Sequence, residues 1–241
     1  MSKSSFLFVC GCPRSGTTAL WRLLVGDTRI RLGVERYGNR FFSREFLTAD
    51  LYEEERFFSA EAGDTFYSDL AGFSPYYAKA RNGYSDAVYI GDKIPKLYEY
   101  FDRLKENFPD CKTIFIFRNI FDVAASYKAR LLDENDGWNL NVSAAIADWN
   151  ASLQSALSYK GDLAIVTYER LLMEEHGLDK LYGFLGLDIT PEVHATFKNL
   201  LVRSGTLEKG RARSLTALES KEICESADFE SYRQILKSAL V

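Results

Sequence analysis

Histidine is nearly absent. The chain carries two, His176 and His194, and neither lies near any motif. A histidine general base and a histidine-rich zinc site are both disfavoured from the outset. Cysteine is scarce too. Cys10, Cys12, Cys111 and Cys224 have neither metal-ligand nor disulfide spacing, which points to a reducing, cytoplasmic setting. Long apolar runs are missing, and no stretch is long enough to span a bilayer. The apolar run after Lys3 is too short for a signal peptide and ends in a turn, which makes it a candidate core strand. Excess positive charge is missing as well: 30 Lys and Arg face 34 Asp and Glu, for a net charge of −4. No global field attracts nucleic acid, so any anion site must be local. There is no internal repeat, low-complexity tract or interdomain linker. The 241 residues suit one domain, 1–241, large enough to bury a sizeable core.

What is present is concentrated near the start. Phe6 to Cys10 is a continuous apolar run, and Gly11-Cys12-Pro13-Arg14-Ser15-Gly16 is a turn. Ala19, Leu20, Leu23 and Leu24 then follow at helical spacing. Strand, loop and helix in that order aim backbone N–H groups and the positive end of a helix dipole into one concavity. Gly11 and Gly16 allow the backbone to turn and to approach an anion closely. The Gly11-x-x-x-x-Gly16 spacing is that of the P-loop, yet Thr17 stands where the P-loop lysine belongs. That lysine reaches the β- and γ-phosphates, so its replacement argues against ATP or GTP hydrolysis. Arg14 puts a cation inside the loop instead. Such a loop suits a nucleotide with a single 5′ phosphate that bears a transferable group.

Further candidates stand at the ends of later apolar runs. Ile30 to Val34 is a candidate strand ending at Glu35, and Val88 to Ile90 is another leading to Lys93. Thr113 to Phe117 is apolar enough to be a central parallel strand, and Arg118 closes it. Asn119 is placed to cap a helix from Ile120 to Leu132, on which Ser126 and Arg130 share a face. Arg118, Ser126 and Arg130 can converge on a second phosphate. An ion-paired arginine beside two surface groups is the alternative. Leu163 to Val166 is a further buried strand, and Tyr168 follows it, either near a ligand or packed on the core. Strands alternating with helices predict a single α/β domain, a central parallel sheet flanked by helices.

Residues 37–87 are rich in aromatics, with helical pieces expected over 40–49, 53–60 and 66–71. Singly these aromatics read as core packing; together they could wall an acceptor pocket. Arg203 to Arg213 reads as a Gly-punctuated basic loop in which Ser204 and Lys209 could close over a nucleotide. A solvated charge run is the alternative.

The run Pro13-Arg14-Ser15-Gly16-Thr17-Thr18 resembles the 5′-phosphosulfate loop of the sulfotransferase superfamily. Those enzymes use 3′-phosphoadenosine 5′-phosphosulfate (PAPS) and release adenosine 3′,5′-bisphosphate (PAP). Arg118 to Ser126 resembles their 3′-phosphate element. Lys93-Ile94-Pro95 resembles their Lys-[Thr/Ser/Asp]-Pro element, with Ile94 a departure. Tyr168-Glu169-Arg170-Leu171 and Phe184-Leu185-Gly186-Leu187 resemble a later signature. The resemblance is closer to the carbohydrate, tyrosylprotein and bacterial enzymes than to the cytosolic histidine-base type, whose Arg-Lys-Gly-x-x-Gly loop does not occur here.

The resemblance spans about Phe6 to Leu187 and implies the P-loop-type sulfotransferase fold. It implies metal-free transfer of a sulfuryl group from PAPS to a hydroxyl or amine of a small-molecule, carbohydrate or peptide acceptor. It also implies roles. Arg14, Ser15, Gly16, Thr17 and Thr18 hold the 5′ phosphate and sulfate. Arg118, Ser126 and Arg130 hold the 3′ phosphate, with Tyr168 as a further nucleotide contact. Glu35 is the general base, and Lys93 with Arg14 stabilises charge at the sulfuryl group. Residues 37–87 form a helical insertion that sets acceptor choice. A P-loop small-molecule kinase and a catalytically inactive nucleotide-binding protein are the alternatives, and Thr17 speaks against the first.

Overall fold

Five strands form one parallel sheet: β1 (Ser5–Cys10), β2 (Ile30–Val34), β3 (Tyr89–Lys93), β4 (Lys112–Phe117) and β5 (Asp162–Thr167). Their order is β2-β3-β1-β4-β5. The computed structural model describes residues 4–42, 47–65, 74–173, 177–211 and 215–241, without the side chains of 42, 74, 172, 173 and 203–211. Side-chain alternation explains why the middle strands are interior. Phe8 and Cys10 of β1, with Phe115 and Phe117 of β4, enter one apolar cluster. Leu7 and Val9, with Ile114 and Ile116, enter another. A strand apolar on both faces needs cover on both sides.

The helices supply that cover. α1 (Thr17–Leu24) packs on the Leu7 and Val9 face through Leu20, Leu23 and Leu24. Short helices α2 (Gly38–Phe42), α3 (Glu54–Phe58) and α4 (Ser74–Arg81) follow. α5 (Phe101–Asn107), α6 (Ile120–Leu131) and α7 (Val142–Ser158) cover the Phe8 and Cys10 face. α8 (Tyr168–Met173), α9 (Gly177–Leu185) and α10 (Pro191–Arg211) return to the first face. α11 (Ala217–Ser226) and α12 (Phe229–Ser238) close the second through Ile223 and Ile235. The connection from β1 to β2 thus lies on one face, and those from β3 to β4 and from β4 to β5 lie on the other. The chain changes direction at β1, and α/β sheets open a ligand crevice at such a point, beyond the strand carboxyl ends.

Both outer edges of the sheet have hydrogen-bond partners beyond the strands. On β2, the Leu32 N–H donates to the Tyr76 hydroxyl at 3.0 Å, and that hydroxyl donates to the Leu32 carbonyl at 2.8 Å. The Val34 N–H donates to the Tyr77 hydroxyl at 3.0 Å. On β5, the Thr167 N–H donates to the Val241 carbonyl, and the Leu240 N–H to the Ile165 carbonyl. Unpaired edges template aggregation, so these partners matter for more than strand stability.

Several expectations shift in detail. A 3₁₀ segment, Pro95–Tyr100, leads from β3 into α5. The piece expected over 66–71 lies outside the described residues. α4 was not anticipated; its Tyr76 and Tyr77 serve the β2 edge, and their neighbours give no apolar helical stripe. Tyr37, Phe41, Tyr52, Phe57, Tyr77 and Tyr84 are buried in the same cluster as Phe8, so core packing accounts for them. The Gly-punctuated stretch expected as a loop continues α10 as far as Arg211.

A buried ionic hub ties this aromatic segment together. The Asp64 carboxylate meets Arg36 at 2.9 Å, Arg40 at 2.6 Å and Arg56 at 2.7 Å. Arg36 and Asp64 are each about 1 % exposed at the side chain. Burial alone would raise the Asp64 carboxyl, but hydrogen bonds from Arg56 and Arg40 outweigh it and hold it well below the usual range.

Candidate active site

Because all five strands run parallel, their carboxyl ends share one edge. Four of those ends open directly onto a candidate residue or loop: β2 onto Glu35, β1 onto the Gly11–Gly16 loop, β4 onto Arg118 and β5 onto Tyr168. β3 ends in Lys93 itself. Sheet order therefore sets Glu35, Lys93, the loop, Arg118 and Tyr168 in a row across the crevice.

The loop is strained where an anion site would want it. Gly16 has φ 98°, and a Cβ there would meet the Tyr168 ring at 2.5 Å. Gly16 is also the N-cap of α1 and offers no side chain to the free N–H groups of the first turn. The Ser15 hydroxyl is buried and finds no hydrogen-bond partner among the described residues. A buried orphan hydroxyl is costly unless something outside the chain completes it. Arg14 and Glu35 are the two non-glycine residues with positive φ among those described, at 71° and 53°. Left-handed backbone at such residues costs on the order of 1–3 kcal/mol each, and it gathers at functional sites.

Arg14 reaches across the crevice. Its Nε donates to the Ser126 hydroxyl at 3.0 Å. Ser126 is buried on α6, one helical turn before Arg130. Arg118, 4 % exposed, stacks 4.3 Å from the Tyr168 ring centroid and pairs with Asp122 at 3.2 Å. Asn119 caps α6 by accepting the Asp122 N–H, as its sequence position suggested. Arg130 takes a different course. It forms a two-point pair with Asp136, one contact at 2.6 Å, and lies 4.5 Å over the Trp138 ring. The pair also lowers the Asp136 carboxyl below its ordinary range, first through the Arg130 hydrogen bond. Arg130 thereby ties Asp136 and Trp138 to the end of α6.

On the other side of the loop, Lys93 Nζ is 2.7 Å from Glu35 Oε1. Lys93 is fully buried apart from this contact, whereas a quarter of the Glu35 side chain is exposed. The carboxylate has one oxygen on the ammonium and an open flank towards solvent. The Glu35 N–H also donates to the Lys93 carbonyl at 2.8 Å. Beneath them lies Asp92, fully buried, a residue the motif reading passed over. Burial pushes its carboxyl up to about 7, against the backbone N–H groups of Tyr37 and Arg36. An acid between Gly91 and Lys93 at the buried end of a strand was the available signal. Ser204 and Lys209 lie on α10, but their side chains are outside the described ones. Among the described residues no group of His, Cys, Asp and Glu gathers as metal ligands, and no helix is long and apolar enough to cross a membrane.

A sequence profile of the sulfotransferase family matches residues 7–191. The chain belongs to that family. No curated protein sequence matches it. Solved sulfotransferases share the fold at low identity. A sulfotransferase domain from the curacin biosynthetic pathway is 17 % identical, over 80 % of this chain and 77 % of that one, with a TM-score of 0.54. The sulfotransferase domain of the Synechococcus PCC 7002 olefin synthase is 18 % identical, over 93 % and 95 %, with a TM-score of 0.53. Mouse sulfotransferase SULT7A1, solved with PAP, is 16 % identical, over 99 % and 86 %, with a TM-score of 0.54. The sulfotransferase family places this chain among transferases. Its fold is the single α/β domain with a parallel sheet that the sequence led us to expect.

Proposed function

We propose that this sulfotransferase takes PAPS as donor and uses Glu35 as general base towards an acceptor hydroxyl or amine. The observation that carries the reading is the Ser15 hydroxyl, buried without a partner inside a loop whose backbone is held open at Arg14 and Gly16. A 5′ phosphosulfate supplies the missing acceptor there, together with a good leaving group. The PAP found in the mouse neighbour supports the same donor.

Each residue has a defined task in this reading. The N–H groups after Gly16 and the hydroxyls of Ser15, Thr17 and Thr18 bind anionic oxygens. Arg118 and Ser126 receive the 3′ phosphate, with the Tyr168 ring stacked behind the guanidinium. Arg130 joins them only by leaving Asp136. The open oxygen of Glu35 takes the acceptor proton as the acceptor atom attacks sulfur. Lys93 and Arg14 offset the charge that grows on the sulfuryl and bridging oxygens, the electrostatic contribution that dominates such in-line transfers. Residues 37–87, next to Glu35 in the chain, are the part we assign to acceptor choice.

The test is a screen of hydroxyl and amine compounds with sulfur-labelled PAPS. Label should move to at least one acceptor with stoichiometric PAP. A protein that binds PAP tightly yet moves label to no acceptor, water included, would be a binding protein, and this reading would be lost.

A further inference from the structure

The Glu35 turn is held from below by one buried side chain. Asp92 Oδ1 accepts the Arg36 N–H at 3.2 Å and the Lys93 N–H at 2.8 Å, and Oδ2 accepts the Tyr37 N–H at 3.1 Å. Gly33 sits directly opposite Asp92 in the β2–β3 register. A Cβ on Gly33 would meet Asp92 Oδ1 at 2.7 Å and Arg36 Cβ at 2.6 Å, so only glycine lets the carboxylate reach the turn. From above, the Glu35 N–H is tied to the Lys93 carbonyl, and the Glu35 carbonyl accepts the Gly38 N–H at 2.9 Å. Glu35 keeps its left-handed φ of 53° between these two sets of bonds.

We propose that Asp92 is a positioning residue: its carboxylate fixes the Glu35–Tyr37 turn and so holds the Glu35 carboxylate on Lys93 and open to the acceptor. Carboxylate is the group that fits. Ionised, it accepts at both oxygens and donates at neither, and the three backbone N–H groups that converge on it favour that form against the burial that raises its carboxyl. An asparagine would turn an amide N–H₂ against at least one of them. The inference rests on the reading of Glu35 as base, and its test separates the two.

Asp92→Asn, Glu35→Gln and the double variant are compared for release of labelled sulfate from PAPS, with water as the acceptor. PAP affinity and amide hydrogen exchange are measured alongside. Misplacing a catalytic group by an ångström costs on the order of a hundredfold in rate, so Asp92→Asn alone should lose about that much. In the Glu35→Gln background the same change should cost little, because there is no base left to position. PAP affinity should hold, and exchange at the Arg36 and Tyr37 amides should speed up while β1 stays protected. An equal loss in both backgrounds, unchanged exchange at those amides, or lost PAP binding would make Asp92 a residue of the fold alone and overturn the proposal. Wild-type sulfate release by Glu35→Gln would instead remove Glu35 as base, and the positioning role would go with it.

Discussion

Arg14 and Ser126 share a hydrogen bond of 3.0 Å across a separation of 112 residues. One stands in the loop after β1, the other inside α6, so the two stretches proposed to bind the 5′ and 3′ phosphates are in direct contact. A ligand with phosphates at both its 5′ and 3′ positions would bridge the same gap.

That geometry predicts a metal-independent preference for the bisphosphate. PAP should raise the melting temperature in the presence of EDTA, since a ligand at a hundred times its Kd stabilises the folded state by about 2.7 kcal/mol. AMP should do far less, and ATP with Mg²⁺ should not recover the difference. Equal shifts with PAP and AMP would show that Arg118 and Ser126 form no 3′-phosphate site.

Most of this arrangement was legible in the sequence because it is local. Strand ends, the glycine turn, the Asn119 cap and the parallel sheet follow from runs of a few residues. What escaped was set by tertiary contact. Asp92 has no role assigned by any motif, and only the β2–β3 register brings it under the Arg36 and Tyr37 amides. Arg130 had the right spacing for Ser126, but Asp136 and Trp138 in the following segment hold it. The end of α10 was misread because Gly205 and Gly210 suggested a loop, and the helix continues through both. A glycine in a helix costs only about 1 kcal/mol, which packing can override.

Arg118 offers a ligand-specific test. A hydrogen bond to a charged group contributes about 1.5–3 kcal/mol, or roughly ten- to a hundredfold in affinity. Arg118→Ala should weaken PAP by that factor and leave AMP nearly unchanged. Should both ligands weaken alike, the stack on Tyr168 and the pair with Asp122 would be the real work of this side chain.

The hub at Asp64 makes a prediction about stability and pH. Removing one partner of a buried charge cluster typically costs about 3–5 kcal/mol, and Asp64→Ala takes away the carboxylate that pairs with the buried Arg36. The loss should appear at pH 7 in urea titration. The folded-state carboxyl is depressed, so its contribution is fully present above the unfolded value, about 3.9. It fades as pH falls below that value towards the folded one. The gap between wild type and variant should therefore narrow in acid. A gap that is the same at pH 3 and pH 7 would mean that the arginines do not depend on the Asp64 charge.

Glu35→Gln is the most informative substitution at the reaction centre. Glutamine keeps the size of the side chain and can still accept a hydrogen bond from Lys93 Nζ, now 2.7 Å from the carboxylate oxygen. It cannot take a proton from the acceptor. Loss of a general base typically costs on the order of 10²–10⁴ in rate. PAP affinity should stay near wild type, because Glu35 stands at the β2 edge of the row and Arg118 and Ser126 lie beyond β1 on the other side. A slight gain is the expected direction of any change, since one negative charge near the proposed sulfate position is removed. Turnover of an acceptor found by the PAPS screen, measured beside a PAP titration, resolves the cases. Near-normal turnover would take Glu35 out of the mechanism and leave its ion pair with Lys93 as a device for holding the lysine. Loss of turnover together with loss of PAP binding would make the pair a strut for the anion loop. Loss of turnover alone, with the loop still binding, is the outcome that a proton acceptor at Glu35 requires.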